Sequence, residues 1–321
     1  MHNTQMLWGD KRYYSLDYYL KKTYGQKIYR LSLNGGMTCP NRDGKLDTRG
    51  CIFCSSGGSG DFATSPLLSV TEQIEAAKEK VRTKSNAQKF IAYFQAYTNT
   101  YAPIPYLRKL FMEAIMHPDI VILSIATRPD CLDDDVIDLL CEINAIKPVW
   151  IELGLQTIHP QTAKFIRSGF TLLDFNCAIN RLHQCNIPII VHLILGLKDE
   201  TRDMMLDSVD YVSKLPISGI KLQLLHILKG TDLDTEYHNH PFPVMDLDSY
   251  ANLIADCIEL LPQNIVIHRI TGDGPKSLLT APLWSADKKR VLNTISKTLK
   301  ERNSYQGKGG IKWQSQILSI K

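Results

Sequence analysis

Residues 28–54 read IYRLSLNGGMTCPNRDGKLDTRGCIFC, and the fold can be worked out from this segment outward. It opens on the apolar run Ile28–Leu33, which has the length and composition of a buried strand. Asn34-Gly35-Gly36 ends the run, because asparagine and glycine favour turns. The loop that follows carries Cys39, Cys51 and Cys54. The segment therefore predicts a strand whose carboxyl end leads into a cysteine loop.

The alternation of strand and helix patterns recurs along the chain. Further apolar runs rich in Val, Ile and Leu predict strands at Phe90–Phe94, Val121–Ile125, Val149–Leu155, Ile187–Leu195, Gly219–Leu225 and Ile265–Ile270. Helix-period segments separate them. One is Thr71–Arg82, preceded by a capping-box match of Ser69 with Glu72. Another begins at Gln161 and is predicted to continue through Leu173–Cys185.

Six strand–helix units followed by a strand predict an α/β fold with a parallel sheet. A closed barrel needs eight units, so a partial (β/α)6 TIM-like barrel of parallel strands is favoured. A doubly wound open sheet is the alternative. In both architectures the active site lies at the carboxyl ends of the strands, where the suggestive motifs of this chain fall. The predicted organisation is a barrel at residues 28–271 with extensions at 1–27 and 272–321.

Composition restricts the class of protein. The 321 residues are 44% hydrophobic and carry a formal charge of only +4. The amino terminus is polar and no apolar run approaches the ~20 residues of a membrane span, so we expect a cytoplasmic protein without membrane partners. Eight cysteines without a secretory signal argue against a disulfide framework. Five of them stand in helix-like or apolar contexts that predict buried packing: Cys131, Cys141, Cys177, Cys185 and Cys257.

The spacing C-x11-C-x2-C of Cys39, Cys51 and Cys54 sets these three residues apart. Three thiolates can hold three irons of a [4Fe–4S] cubane and leave the fourth iron open to a ligand. The alternative is a zinc site. Zinc normally takes four ligands, and the nearest histidine after Cys54 is the distant His117.

Ordered motifs beyond the cysteines make the chain resemble the radical S-adenosylmethionine (SAM) superfamily over roughly residues 25–275. These motifs are Ala126–Asp130, Glu152–Thr157, Gly196–Thr201, Lys221–Gln223 and Lys229–Leu233. The long first gap is similar to the branch that contains the catalytic subunit of Elongator and the bacterial YhcC/YtqA-type proteins. The stretch Tyr93–Tyr101 is similar to the YhcC/YtqA type in particular.

The resemblance implies that a [4Fe–4S] cluster and SAM are the cofactors. It implies that SAM chelates the open iron, and that an electron from a reductant such as flavodoxin or ferredoxin splits SAM into methionine and a 5′-deoxyadenosyl radical. It also implies a tRNA substrate modified at C5 of the wobble uridine. The chain lacks room for Elongator's acetyltransferase domain. A later step on an existing C5 substituent is therefore expected, such as trimming carboxymethylaminomethyl to aminomethyl.

SAM contacts are predicted at positions near strand ends. Gln95, Thr98 and Asn99 stand where many superfamily members carry a Gly-Gly-Glu motif. Thr127 and Arg128 are expected near the SAM carboxylate or the rim of the site, a surface salt bridge being the alternative for Arg128. The remaining predicted contacts are Glu152, Gln156, His192, Gly196 and Leu197, the last two in a turn against the adenine.

Three charged or titratable residues lie inside apolar strands. Glu152 needs a buried partner, which is either SAM or a structural ion pair. Lys221 alternates with Leu222 and faces the barrel interior if Leu222 faces outward. His192 is either a satisfied core residue or a contact to SAM or substrate. Lys221 and His192 are therefore the candidate catalytic residues.

Both ends of the chain are basic. The first thirty residues hold Tyr13, Tyr14, Tyr18, Tyr19, Tyr24 and Tyr29 among lysines and arginines. Residues 287–308 hold Lys288, Lys289, Arg290, Lys297, Lys300, Arg302 and Lys308. Basic residues track phosphates and aromatic rings stack on bases, so these ends favour a tRNA partner. A solvated basic helix with aromatic packing against the barrel is the alternative.

Two other functions are compatible with these patterns. One is a radical SAM enzyme that acts on a small metabolite or a protein. The other is a non-catalytic iron–sulfur or zinc protein that binds RNA.

Overall fold

Seven parallel strands form the main sheet of the computed structural model, which describes residues 7–58, 60–83, 85–272 and 274–309. In sheet order they are β1 (Ile28–Leu33), β2 (Lys89–Phe94), β3 (Ile120–Thr127), β4 (Val149–Gln156), β5 (Ile189–Leu195), β6 (Gly219–Leu224) and β8 (Val266–Arg269). Two short strands, β7 (Ile227–Leu228) and β9 (Leu279–Ala281), pair antiparallel. The predicted partial barrel of parallel strands is confirmed, because β1 and β8 remain the edges of an open sheet.

Ten α-helices lie in the part of the chain that the structure describes. They are α1 (Leu16–Tyr24), α2 (Val70–Arg82), α3 (Ile104–Met116), α4 (Asp134–Asn144), α5 (Pro160–Phe165), α6 (Leu172–Gln184), α7 (Arg202–Ser213), α8 (Asp232–Asn239), α9 (Leu247–Leu260) and α10 (Lys288–Glu301). The helices between consecutive strands bury their apolar faces on the outer side of the sheet and form the main core there. Among these described residues, no helix is long and apolar enough to cross a membrane.

Local signals set two of the helix boundaries. The predicted capping box of Ser69 and Glu72 is present and begins α2. The expected continuous helical region from Gln161 is wrong, because the chain breaks between α5 and α6. Gly169 adopts φ +76° in this break, and Thr171 starts α6 with a capping box of its own.

Side chains that point into the barrel form two layers. The lower one, here called the apolar layer, consists of Leu20 from α1 with Ile28, Ile91, Ile122, Trp150 and Ile190. Alternate residues of a strand point to the same face, so the residues two positions further along also face inward. These residues, here called the polar layer, are Arg30, Tyr93, Ser124, Glu152, His192 and Lys221. Each of the strands β1 to β6 contributes one member, directly below the carboxyl ends of the strands.

Of the amino-terminal extension, the described residues 7–27 cover the end of the barrel opposite the cysteine loop. Helix α1 packs against both edge strands, β1 and β8. The backbone N–H of Ile267 donates to the Tyr14 carbonyl at 2.7 Å. The ring of Tyr19 lies 6.0 Å from Trp150, and Tyr14 stacks 6.0 Å from Trp8. Tyr14 and Tyr19 therefore take part in aromatic packing at the end of the barrel opposite the cysteine loop.

Of the carboxyl-terminal extension, residues 274–309 run from the carboxyl ends of the strands to the opposite end of the barrel, where the Gln306 N–H donates to the Arg12 carbonyl at 3.0 Å; residues 310–321 lie outside the described part. Val291, Ile295 and Leu299 bury one face of α10, which packs on α9. Ahead of this helix, Trp284 Nε1 donates to the Met245 carbonyl at 2.9 Å. The first turn of α10 therefore begins beside the segment that leads into α9, at the carboxyl end of the sheet.

Candidate active site

A cavity of about 280 Å³ opens at the carboxyl ends of the strands. The cysteine loop forms one wall, and four residues of the polar layer form the floor of the cavity: Tyr93, Glu152, His192 and Lys221. The predicted site residues that line it are Cys39, Cys51, Cys54, Gln95, Thr98, Thr127, Arg128, Glu152, Gln156, His192 and Lys221. The structure thus brings together side chains that come from every strand between β2 and β6 and from the loop after β1.

The other three predicted residues lie elsewhere in the described chain. Asn99 is not part of the cavity lining, and its Nδ2 donates at 2.9 Å to the carbonyl of Ala126, which is part of it. Gly196 and Leu197 are also outside the lining, and Leu197 packs in a buried apolar cluster with Ile52 and Ile166. Their predicted contacts with SAM stay predictions.

The residues between Cys39 and Cys51 form a loop whose two ends lie together, here called the excursion. Its base is fixed by the backbone N–H of Arg42, which donates to the Cys39 carbonyl at 2.7 Å, and by that of Gly50, which donates to the Asn41 carbonyl at 2.6 Å. Gly50 has φ +79°, a conformation that favours glycine. The intervening residues therefore leave and return at one point, and Cys51 is delivered next to the segment that holds Cys39.

Arg42 braces the cysteine loop from within. Its Nη2 donates to the carbonyls of Cys54 at 3.0 Å and Ser55 at 2.7 Å. Its guanidinium carbon lies 5.6 Å from the ring centroid of Tyr97, whose hydroxyl donates to the Ser56 carbonyl. A single side chain therefore ties the Cys54 turn to the loop after β2 and places a positive charge beside the thiols.

The three thiols fit a cluster better than a single metal ion. All are free and partly exposed, and burial raises the pKa of Cys51 to about 11. Among the residues that the structure describes, the three sulfur atoms are not gathered within 4.8 Å of one another. Sulfur ligands of one tetrahedral zinc would stand about 3.8 Å apart, given Zn–S bonds of about 2.3 Å. Three spaced thiols facing a cavity suit a larger cluster with an open iron.

Arg128 lies at the rim of the cavity and also forms a salt bridge, but it is buried and not on the surface. Its Nε and Nη2 donate to the two carboxyl oxygens of Asp130 at 2.9 and 2.8 Å, and it lies over the ring of Phe170 at 5.3 Å. It also lines the cavity close to Cys39 and Cys51. Asp130 and Phe170 thus fix a positive charge at the edge of the cysteine site.

Glu152 is the centre of the polar layer and is fully buried. Ser124 Oγ donates to its Oε1 at 2.8 Å, and His192 Nε2 donates to its Oε2 at 2.8 Å. Lys221 forms an ion pair with the same oxygen, and Arg30 Nη2 lies 3.5 Å from Oε1. Burial opposes the negative charge, but the two cations outweigh it and hold the pKa of Glu152 well below its usual range.

Lys221 and Tyr93 complete the floor of the cavity. Lys221 Nζ donates to the Tyr93 hydroxyl at 3.2 Å and lies 4.7 Å from the ring centroid. Burial, together with Glu152, raises the pKa of Tyr93 well above its usual value, so this phenol stays protonated. Burial lowers the pKa of Lys221 well below its usual value and Glu152 opposes this, so the ammonium depends on its carboxylate partner. The floor of the cavity therefore offers this lysine and a neutral phenol to whatever enters.

Gln156 shows local backbone strain at the mouth of the cavity. Its φ is +72°, which is unfavourable for a residue with a side chain, and the pairing of β4 with β5 shifts register here. A Cβ on Gly154 would lie 2.7 Å from Gln156 Nε2, so glycine is required for this side-chain position. The buried Gln156 Oε1 has no hydrogen-bond partner among the described residues. This amide is therefore held open toward a ligand.

Sequence reasoning did not identify Arg30, Ser124, Asn41 or Arg42. A signal for Arg30 was present, because it stands between apolar residues of a strand in the same way as Glu152. The others carry no local signal, since serine, asparagine and arginine are ordinary residues in loops and at strand ends.

An open parallel half-barrel with a three-cysteine loop at the carboxyl end of β1 is the architecture of radical SAM enzymes. The model of the Radical SAM superfamily matches residues 48–212, and that of the Radical_SAM C-terminal domain matches residues 217–301. This chain belongs to the radical SAM superfamily. A [4Fe–4S] cluster and SAM are the cofactors of the family.

Relatives at higher identity cover almost the whole chain. The YtqA protein of Bacillus subtilis (strain 168) is 44% identical over 302 residues, 93% of each chain. The YhcC protein of Escherichia coli (strain K12) is 34% identical over 295 residues, 92% of this chain and 94% of its own.

More distant similarities extend to Elongator-type proteins. The tRNA uridine(34) acetyltransferase of Methanocaldococcus jannaschii is 22% identical over 162 residues, which are 50% of this chain and 29% of that protein. The solved structure of Methanocaldococcus infernus Elp3 with an amino-terminal deletion superposes with a TM-score of 0.66 at 15% identity. It covers 87% of this chain and 64% of the Elp3 chain, and this similarity concerns the fold.

Proposed function

We propose that this enzyme modifies the C5 side chain of the wobble uridine in tRNA, with a [4Fe–4S] cluster held by Cys39, Cys51 and Cys54. Once bound and reduced by a donor such as flavodoxin or ferredoxin, the cluster would supply reductive cleavage of SAM to methionine and a 5′-deoxyadenosyl radical. The chain's own residues hold the cluster, orient SAM and admit the substrate base from the mouth of the cavity.

The observation that carries the tRNA proposal is the charge at the start of α10. This helix begins with Lys288, Lys289 and Arg290, all exposed, and has no acidic residue in its first turn. The amino terminus of a helix carries a partial positive charge, so cations there oppose the helix dipole. Asp287 caps the helix by accepting from the Arg290 N–H at 3.0 Å, but residues 287–290 remain net positive, which favours the binding of a polyanion such as an RNA backbone.

This basic turn lies at the end of the barrel where the cavity opens. Trp284, which precedes this turn, donates from Nε1 to the Met245 carbonyl. The methyl group of Met245 lies 3.0 Å from where a Cβ on Gly196 would stand, so this segment packs on Gly196. Gly196 directly follows β5, whose carboxyl end borders the cavity. A tRNA stem whose phosphates contact the basic turn can therefore direct an unstacked base of the adjoining tRNA loop toward the cysteine site.

The match to tRNA uridine(34) acetyltransferases supports the choice of nucleotide. It spans half of this chain. We infer from the name of that relative that the half shared with it serves a uridine 34 substrate here as well.

The charge of the polar layer supports a C5 substituent that bears a carboxylate. Arg30 and Lys221 are two cationic side chains beside the single carboxylate of Glu152. Burial lowers the pKa of Lys221 well below its usual value although Glu152 raises it, so a further anion nearby would favour the charged form, and burial keeps His192 neutral. A buried positive excess favours an anionic group from the ligand. The carboxylate of a carboxymethylaminomethyl side chain would meet this requirement.

Nucleoside mass spectrometry of tRNA from a strain that lacks the gene tests this function. We expect loss of one C5-modified wobble uridine and accumulation of its precursor, with restoration by the wild-type gene. Cys54→Ser should not restore the nucleoside. Cys177→Ser should, because Cys177 is exposed on α6, so its predicted burial is wrong. An unchanged wobble-uridine profile would instead favour a small metabolite or a protein as substrate.

A second measurement separates catalysis from simple RNA binding. The reconstituted [4Fe–4S] protein, supplied with dithionite and SAM, is expected to release 5′-deoxyadenosine. A loaded protein that binds tRNA but releases none would contradict the catalytic proposal.

A further inference from the structure

Asn41 lies at the base of the cysteine loop and is almost fully buried, with 1% of its surface exposed. Its carbonyl closes the excursion by accepting from Gly50, and its side chain extends toward the segment between α5 and α6. A Cβ on Gly169 would lie 2.7 Å from Asn41 Oδ1, and Gly169 has φ +76°. The opposite segment is therefore shaped to receive this amide.

The hydrogen-bond partners fix which way the amide points. Nδ2 donates to the Arg167 carbonyl at 2.6 Å and lies 3.4 Å from the Ser168 carbonyl. Both partners are pure acceptors, so the amino group and not the oxygen must face them. An amide NH2 has two hydrogens: one serves the Arg167 carbonyl, and the other is shared between the Ser168 carbonyl and Cys51 Sγ, to which Nδ2 donates at 3.5 Å.

We propose that Asn41 is a positioning residue that orients Cys51 and raises the reduction potential of the cluster through an N–H···S hydrogen bond. The inference rests on the proposed ligation of the cluster by Cys51. Reduction adds negative charge to a cluster and to its ligating sulfurs. A fixed donor at one sulfur stabilises that charge, because hydrogen bonds to the sulfurs are among the features that set cluster potentials.

Burial makes this single bond effective. Asn41 has 1% of its surface exposed, so water cannot compete for Cys51 from the side of the amide. The strong bond to Arg167 holds the donor in place, so the bond to sulfur requires no reordering when the cluster is reduced. The effect on function is to make the cluster easier to reduce by the donor that precedes SAM cleavage.

The test compares Asn41→Leu with Thr48→Ala in the reconstituted full chain. Leucine has the same branching and the same number of side-chain heavy atoms as asparagine but no N–H, whereas Thr48 is exposed in the same excursion. Potentiometric titration followed by electron paramagnetic resonance gives the reduced fraction of the cluster. We expect Asn41→Leu to lower the reduced-to-oxidised ratio at a given potential about tenfold, or 59 mV for one electron. Thr48→Ala should match the wild type.

Equal potentials in wild type and Asn41→Leu would overturn the inference, and so would an equal shift in Thr48→Ala. If Asn41→Leu does not retain its cluster, the wild-type chain decides the question. With asparagine labelled by ¹⁵N at the side-chain amide and SAM absent, pulsed electron paramagnetic resonance should detect a ¹⁵N coupling to the reduced cluster. Its absence would overturn the inference.

These outcomes are distinct from a failure of the proposed function. A wild-type chain that never loads a [4Fe–4S] cluster contradicts the proposed function itself. A loaded wild-type chain whose potential is indifferent to Asn41 contradicts the role of Asn41 alone.

Discussion

Glu152 Oε2 lies 2.8 Å from Nε2 of His192 on the neighbouring strand β5. The carboxylate is ionised, so the hydrogen of this bond belongs to the imidazole, and Nε2 is the protonated nitrogen. Burial and the nearby Lys221 lower the pKa of His192 to about 4 although Glu152 attracts a proton. His192 is therefore neutral at pH 7, and its orientation is fixed by the charged pair beside it.

The depressed pKa of His192 predicts a loss of stability in mild acid. The unfolded chain takes up the proton near pH 6.5, whereas the folded chain does so near pH 4. Between these values the unfolded state binds more protons, so the free energy of unfolding falls as the pH falls. From pH 7 to 5 we expect this residue to contribute a loss of about 2 kcal/mol.

Urea denaturation of the apoprotein at both pH values measures this loss. His192→Gln, which keeps a donor for Glu152, should lose about 2 kcal/mol less than the wild type does over that range. His183→Gln, at an exposed position of α6, should behave as the wild type. Identical pH profiles for His192→Gln and the wild type would contradict the assignment.

The buried pair of Glu152 and Lys221 predicts a strong dependence of each charge on the other. Glu152→Gln leaves the ammonium of Lys221, which is 1% exposed, without its counter-charge. We expect a loss of about 3–5 kcal/mol in the free energy of unfolding. Adding Lys221→Met should recover much of that stability but not tRNA modification. A single variant within about 1 kcal/mol of the wild type would show that the pair is not coupled.

Serine variants distinguish the three proposed cluster ligands from Cys131, a neighbouring thiol that is not proposed to bind the cluster. Burial raises the pKa of Cys131 to about 12, and this thiol lies close enough to Cys39 to feel its charge. We expect serine at position 39, 51 or 54 to abolish the [4Fe–4S] absorption after anaerobic reconstitution. Cys131→Ser should retain about four irons per chain. Loss of iron from Cys131→Ser, or zinc in place of iron, would instead indicate a four-ligand metal site.

The strained backbone of Gln156 predicts opposite effects on stability and on SAM binding. Gln156→Gly relieves the conformation at φ +72° and should stabilise the chain by about 1 kcal/mol. The same change removes the amide held toward the cavity, so the KM for SAM in 5′-deoxyadenosine release should rise. Asn186→Gly relieves a similar φ of +54° at an exposed position and should leave that KM unchanged. An unchanged KM in Gln156→Gly would exclude a SAM contact.

The basic start of α10 predicts that removing its cations weakens tRNA binding but stabilises the folded chain. Replacing Lys289 and Arg290 by alanine should weaken tRNA binding and reduce the slope of log K against log salt by about 1.5. The melting temperature should rise, because two cations leave the positive end of the helix. Lys300→Ala, in the last turn, should not raise it. Fluorescence anisotropy across a salt series and thermal melts give both quantities, and unaltered tRNA binding would contradict the proposal.

Much of the fold and part of the site follow from the sequence. Buried parallel strands are continuous apolar runs, so seven strands could be recognised individually from short stretches such as Ile28–Leu33 and Val149–Leu155. Charged residues inside such runs also stand out without a structure, which is why Glu152 and Lys221 could be selected. The cysteine spacing predicted a three-ligand loop, since that signal is local as well.

The three-dimensional arrangement decided what these residues contact. Alternation along a strand shows which residues share a face, but the height at which strands meet depends on register and barrel curvature. Only the folded sheet therefore places Arg30 and Ser124 on Glu152. Two further features are non-local for the same reason. They are the break between α5 and α6 and the hydrogen bond from Asn41 to the Arg167 carbonyl. The sequence by itself determined which strands form and where the cysteines lie. Tertiary structure decided the partners, because residues far apart in the chain become neighbours only when the parallel strands align.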